Sequence, residues 1–251
     1  MEKKFIAYFD FLGFKDFIER NDIKTQKIGI NKIYLEIEEA LSEGKFKITS
    51  NGALPDISKS DINCINFSDT VIFWTNTTSV EELDNLLKVS HRFNAHCNLF
   101  TFPVRGALVY GNAYDYIHNY LNNKKKVYNV NSIFGNAIIL AHNKAENQDW
   151  AGTVIDNSVI EYLEDAKLNE NKMLLKYAKK HYVPYKIKPE NQIEEWIFNF
   201  VKNGQKINKE IYNRIEERLL NNFSNYQKRV SSNSVKTKIN NTVLFLKTYK
   251  I

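Results

Sequence analysis

Apolar and polar positions along the chain predict a run of short strands and amphipathic helices. Phe5 to Phe9 form an aromatic and aliphatic run that stops at Asp10; Leu12-Gly13-Phe14 then leads into helix-like Lys15 to Arg20. This reads strand, tight turn, helix. Ile30, Ile33, Tyr34, Ile37, Ala40 and Leu41 recur at helical spacing, with Gly44 as the stop. Gly52 to Ser60 reads as a loop. Ile62 to Phe67 and Thr70 to Trp74 are separated only by Ser68-Asp69, which predicts a hairpin with an acid at its tip. Ser79 and Glu82 form a capping box ahead of Leu83, Leu86, Leu87, Val89 and Phe93, so a helix is expected toward Leu99. Val104 to Tyr110 returns as a strand.

Gly111 to Ser132 is polar and reads as an extended loop or irregular hairpin. Phe134 to Glu146 resumes helical spacing, and Gly152 to Ile155 reads as a strand. Ser158 to Leu163 predicts a short helix, Tyr185 to Ile187 with Glu195 to Val201 a late hairpin, and Ile207 to Tyr226 and Ser234 to Tyr249 two further helices. The order βαββαβ followed by αβ implies an α+β fold: a ferredoxin-like antiparallel sheet, helices over one face, and C-terminal helices added. No Gly/Ser/Pro-rich linker divides the chain, so one domain over 1–201 and a helical appendage over 202–251 are expected.

Composition narrows the class. With 43% hydrophobic and 13% aromatic residues the chain can bury a substantial core, and its 25% charged fraction is that of a soluble globular protein. The formal charge of +6 collects in Lys124 to Lys126, Lys179/Lys180 and the tail after Lys202, where a solvated surface is the plainer reading and an anionic ligand or nucleic acid the alternative. Cys64 and Cys97 lack C-x-x-C spacing, which argues against a disulfide framework or structural zinc. Asp10 interrupts the apolar N-terminal run, and no stretch approaches the ~20 apolar residues of a membrane span. A cytoplasmic location without membrane partners is expected. The five histidines show no metal-ligand spacing, Ser68 lacks a G-x-S-x-G context, and no P-loop or dinucleotide fingerprint occurs.

Two acids stand out. A strand that delivers Asp10 into a Gly-containing turn and a helix sets a carboxylate beside open backbone N–H groups, a combination suited to a metal-bound phosphate. Asp69 alone is ordinary turn chemistry. If its hairpin adjoins the first strand, the two carboxylates share one edge and can bridge two divalent ions ~3.5–4 Å apart.

The segment YFDFLGF, containing Asp10, resembles the first metal motif of class III nucleotide cyclases; INFSDTVIF is similar to that family's hairpin with the second metal Asp. VRGALVYG resembles the strand whose Arg engages the triphosphate, and IFGNAIILAHNKAE the segment opening the helix with transition-state groups. The resemblance implies Asp10, Asp69 and the Phe11 carbonyl as ligands to two Mn²⁺ or Mg²⁺ ions. It further implies Leu12, Gly13 and Phe14 at the phosphates, Arg105 on the triphosphate, and a homodimer whose active sites lie between subunits. Ile65 and Ser132 stand where adenine-reading Lys and Asp occur in the family, and Ile139 and Asn143 where its last helix carries Asn and Arg, leaving Asn143 and Lys144 as the nearest polar substitutes. Lys186 and Lys188 lie near a position that often supplies a phosphate-binding Lys. These departures, with RGAL and the A-x-x-x-A-E ending at Glu146, look like the pyrimidine cyclases of the Pycsar anti-phage system. That likeness implies UTP conversion to cyclic UMP, or CTP to cyclic CMP, with the product read by a separate effector. An adenylate or guanylate cyclase with unusual base contacts, or an inactive nucleotide-binding module, are the competing readings.

Overall fold

A computed structural model describes residues 2–50, 52–121, 125–187 and 194–251. In chain order the elements are β1 (Lys3–Phe11), α1 (Phe14–Arg20), α2 (Ile23–Leu41), β2 (Phe46–Thr49), β3 (Gly52–Pro55), β4 (Asn63–Phe67), β5 (Thr70–Trp74), α3 (Val80–Phe100), β6 (Val104–Asn112), β7 (Tyr114–Leu121), β8 (Val127–Phe134), α4 (Asn136–Asn147), β9 (Thr153–Ile155), α5 (Asn157–Asp165), α6 (Glu170–Leu174), β10 (Ala178–Tyr182), β11 (Glu194–Phe198), α7 (Lys209–Ser224) and α8 (Asn233–Lys247).

The main sheet has seven strands in the order β10-β11-β9-β6-β1-β5-β4. Its β6-β1-β5-β4 portion is the expected ferredoxin-like core, with β1 antiparallel to both β5 and β6. β9 instead pairs with β6 in parallel, because α4 crosses a face of the sheet and returns the chain in the same direction.

β1 is apolar on both sides. Phe5, Ala7, Phe9 and Phe11 enter one core with α2 and α3, while Ile6 and Tyr8 enter another on the opposite face. Helices therefore cover both faces, which corrects the one-face expectation. α4 lays Ala137, Ala141 and Ala145 against Tyr8, Ala107 and Val109, the small side chains letting the helix approach closely. α7 and α8 cover the β9–β11 end through Leu219, Phe223, Phe245 and Leu246.

Three further expectations are revised. The late hairpin pairs β11 with Ala178–Tyr182, and Tyr185 makes only an isolated bridge to Gln148. The Lys-rich β10 hides its role because Lys179 lies over the Tyr249 ring and Lys180 over Trp196, each covering apolar surface with its stem. The stretch after Gly52 contains β3, paired with β2 in a hairpin that exposes Phe46, Ile48 and Leu54 and so lacks a buried face to produce a pattern. Of the two readings of Gly111 to Ser132 the hairpin holds, as β7–β8, while Phe134 belongs to β8 rather than to the following helix.

Candidate active site

Antiparallel pairing sets Asp10, near the end of β1, opposite Thr70 on β5 and Arg105 on β6. Asp69 lies at the β4–β5 turn after Ser68, whose φ of 56° tightens the reversal. The Phe11 N–H donates to the Asp69 carbonyl at 2.9 Å. The backbone thus locks both acids to one edge of the sheet. No hydrogen bond from a described residue reaches the Asp69 carboxylate.

Asp10 is mostly buried, its side chain 14% exposed. Arg105 donates to its Oδ2 from Nε at 2.9 Å, and Arg105 Nη2 lies 2.8 Å from the same oxygen in an ion pair. The same guanidinium pairs with the Glu146 carboxylate on α4 and donates from Nη1 to the Glu146 carbonyl at 3.2 Å. Lys186 bonds that carbonyl too, with its Nζ 3.8 Å from Glu146 Oε2. Burial raises the Asp10 pKa above the ordinary carboxylate value; Arg105 opposes the rise, while Asp69 and Glu146 reinforce it.

The Asp10 and Glu146 carboxylates share one buried guanidinium, and with Asp69 on the same edge the three acids favour added positive charge. The donor set fits a hard divalent ion. Among the described residues no three His, Cys, Asp or Glu side chains cluster as ligands; a divalent ion held by Asp10, Asp69 and a carbonyl would take its other ligands from water and phosphate oxygens, the usual manner of Mg²⁺. The following turn is built to match: Gly13 adopts a left-handed φ of 77°, and Leu12 N–H donates to the Pro103 carbonyl at 2.8 Å. The N–H groups of Gly13 and Phe14 meet no acceptor among the described residues.

Other sequence candidates lie elsewhere. Lys144 points to the β9–β11 side of α4, 2.7 Å from Asp156 and paired with Glu195. Burial works against its charge, but the two carboxylates hold its pKa above the usual lysine value. Asn143 is exposed, as is Ile139 one turn earlier. Lys188 falls outside the described residues. Arg105, expected on the triphosphate, has both ends of its fork engaged by the carboxylates of Asp10 and Glu146.

On the same face, an open cleft of about 490 Å³ brings Ile65 and Ser132 together with Tyr8, Thr70, Ile72 and Phe134. Tyr8 OH lies 3.4 Å from Thr70 Oγ1 and 3.1 Å from His142 Nδ1. Sequence reasoning assigned no role to Glu146 or Tyr8. The available signals were the A-x-x-x-A-E spacing and a tyrosine two residues before Asp10 on the same strand face.

No family model and no curated protein matches the sequence. Among solved structures, the catalytic core of a rhodopsin-guanylyl cyclase with converted specificity, in complex with ATPαS, superposes with a TM-score of 0.52 at 12% identity, covering 79% of this chain and 95% of that one. The chain has the fold of that catalytic core. The adenylyl cyclase CyaB from P. aeruginosa gives a TM-score of 0.49 at 11% identity, covering 79% and 94%. A bacterial light-regulated adenylyl cyclase gives 0.45 at 14%, covering 80% and 52%. No helix among the described residues is long and apolar enough to cross a membrane.

Proposed function

We propose that the chain is a class III-type nucleotide cyclase that converts a pyrimidine nucleoside triphosphate, UTP in the first instance, to its 3′,5′-cyclic monophosphate and pyrophosphate. The observation that carries this reading is the Phe11–Asp69 backbone bond, which couples Asp10, Asp69 and the Gly13 turn into one unit. Asp10, Asp69 and the Phe11 carbonyl would hold two Mn²⁺ or Mg²⁺ ions, which when bound supply activation of the ribose 3′-oxygen and neutralisation of the phosphates. The 3′-oxygen forms a bond to the α-phosphorus, its proton leaves to solvent, and the bond to pyrophosphate breaks. The free N–H groups of Gly13 and Phe14 are donors for phosphate oxygen. Arg105 serves the phosphates to the extent that a ligand draws it from Asp10 and Glu146; until then it keeps Asp10 ionised and placed.

Base choice rests on the second cleft. Ile65 and Ser132 line it where a Lys–Asp pair would read a purine, so the cleft offers a small apolar wall and a hydroxyl instead. In the dimer we propose, this cleft of one subunit faces the Asp10 edge of the other, and Asn143 reaches that shared site from α4. The Pycsar likeness of the sequence supports the pyrimidine assignment and a product read by a separate effector in anti-phage defence.

The test is incubation with ATP, GTP, CTP and UTP in turn with Mn²⁺, products being identified by mass against 3′,5′-cyclic standards. A cyclic pyrimidine that disappears in Asp69→Ala, with the variant's unfolding midpoint unchanged, is the expected result. A cyclic purine overturns the base assignment, and the absence of product with all four overturns cyclisation.

A further inference from the structure

Between α7 and α8, residues 225–232 cross to the first helix of the chain. Tyr226 and Gln227 hold φ of 60° and 57°, two left-handed residues in a row that reverse the chain sharply. Side chains with a Cβ resist that conformation, so it persists because contacts on each side impose it. Tyr226 stacks on Phe102, ring centres 5.1 Å apart, and meets Phe17 edge to face at 5.2 Å. Its carbonyl accepts the Asn21 Nδ2–H at 2.6 Å. Asp16, in the first turn of α1, accepts the Arg229 backbone N–H at 2.6 Å and its Nε–H at 2.9 Å. The connector is thus fastened to both ends of α1, at Asp16 and at Asn21.

Between Tyr226 and Arg229, Lys228 turns inward and is 6% exposed. Its ammonium donates to the Asn222 carbonyl at 2.7 Å and lies 4.6 Å from the Phe102 ring centre. Its Cδ lies 3.0 Å from where a Cβ on Gly13 would stand, so the stem fills the space that the glycine leaves beside the turn. Phe102 carries the position of the connector further: its ring centre is 5.9 Å from that of Phe11, and the next residue, Pro103, accepts the Leu12 N–H. The connector therefore bears on Phe11, Leu12 and Gly13, the three residues that follow Asp10.

We propose that residues 225–232 act as a strap that sets the orientation of the Phe11 carbonyl and of the Gly13 and Phe14 N–H groups, with Lys228 and Arg229 as positioning residues. The proposal rests on the reading of Asp10 and Asp69 given above. Neither residue has to meet the substrate: Lys228 acts through its stem and Phe102, and Arg229 through Asp16 and α1. The C-terminal helices, expected as an appendage beyond residue 201, become the anchors of the strap, since Asn222 on α7 also donates to the Asn98 carbonyl of α3 at 2.9 Å.

The experiment compares the full-length wild type with Lys228→Ala, which removes the stem, and Lys228→Met, which keeps it. Amide hydrogen exchange is followed in a peptide spanning residues 11–14 and in one from β6, together with cyclisation of UTP across a Mn²⁺ titration. Lys228→Ala should speed exchange at Phe11 and Leu12 about tenfold or more while β6 is unchanged, and should raise the Mn²⁺ concentration for half-maximal turnover by a similar factor. Lys228→Met should return both to near the wild-type values, because the stem and not the charge does the positioning. Arg229→Met, cut at a side chain that is 59% exposed, opens no cavity and should show the same two changes, with Arg229→Lys recovering part of them. Unchanged exchange at Phe11 and Leu12 in both Lys228→Ala and Arg229→Met, or equal acceleration in β6, overturns the strap, as does faster exchange in an active enzyme whose Mn²⁺ requirement is unmoved. Acceleration confined to the turn, in a chain that yields no cyclic product from any of the four nucleoside triphosphates, upholds the strap and removes the cyclase reading instead.

Discussion

The surroundings of Asp10 work against its ionised form. Burial, Asp69 and Glu146 raise its pKa, and Arg105 recovers only part of the cost. The sign follows from linkage. A carboxyl whose folded pKa exceeds the unfolded one binds its proton more tightly when folded, so ionised Asp10 subtracts stability above the folded pKa, and the penalty fades as pH falls through that value. Asp10→Asn keeps an oxygen acceptor for Arg105 and removes the charge. Its thermal midpoint at pH 7 should equal or exceed that of the wild type while cyclisation is lost, and the stability difference should shrink as pH is lowered through the Asp10 titration. A midpoint several degrees lower would mean that attraction to Arg105 outweighs burial. This is the pattern of a group retained for chemistry at the expense of stability.

At the scale of elements, α4 connects the site to the fold, and its first turn depends on Gly135. This residue has a φ of 134°, and a Cβ added there would stand 2.4 Å from the Asn112 carbonyl oxygen, a backbone atom that cannot swing aside. Gly135→Ala should therefore cost about 2 kcal/mol or more in urea unfolding and loosen the Glu146–Arg105 pair at the far end of the helix. An unchanged midpoint would show that β8 absorbs the clash. The same comparison shows what the sequence could reveal. The β1 strand, the hairpin carrying Asp69, α3 and β6 were legible because each carries an apolar run or periodicity bounded by a turn or cap, and both acids stood at the ends of such runs. The β2–β3 hairpin was not, since it buries no face, and β10 was masked by lysines whose stems, not charges, do the packing. Lys144 illustrates a deeper limit: its polar side chain marked it for the substrate, whereas Asp156 and Glu195, which claim it, come from distant segments that only the folded sheet brings near.

At the scale of the whole molecule, the face bearing the second cleft leaves large apolar groups in water. Phe67 is 79% exposed, Ile139 60% and Phe134 56%, and Phe67 and Phe134 border the cleft beside Ile65 and Ser132. Contiguous apolar exposure of this kind marks an interaction site, and a two-fold pairing would cover it with its own copy. Such pairing would also close the cleft of one subunit over the Asp10 edge of its partner, so association and activity should respond to the same mutation. Ile139 touches solvent rather than the core, and Ile139→Glu should leave the monomer's circular dichroism and unfolding midpoint unchanged. In sedimentation velocity the variant should run as a monomer where the wild type runs as a dimer. Its cyclisation should be low at dilute protein and rise in activity per chain as concentration increases, because a site built from two chains forms only as the dimer does. A monomeric variant with full, concentration-independent turnover would show instead that each chain holds a complete site, with the exposed face serving another partner.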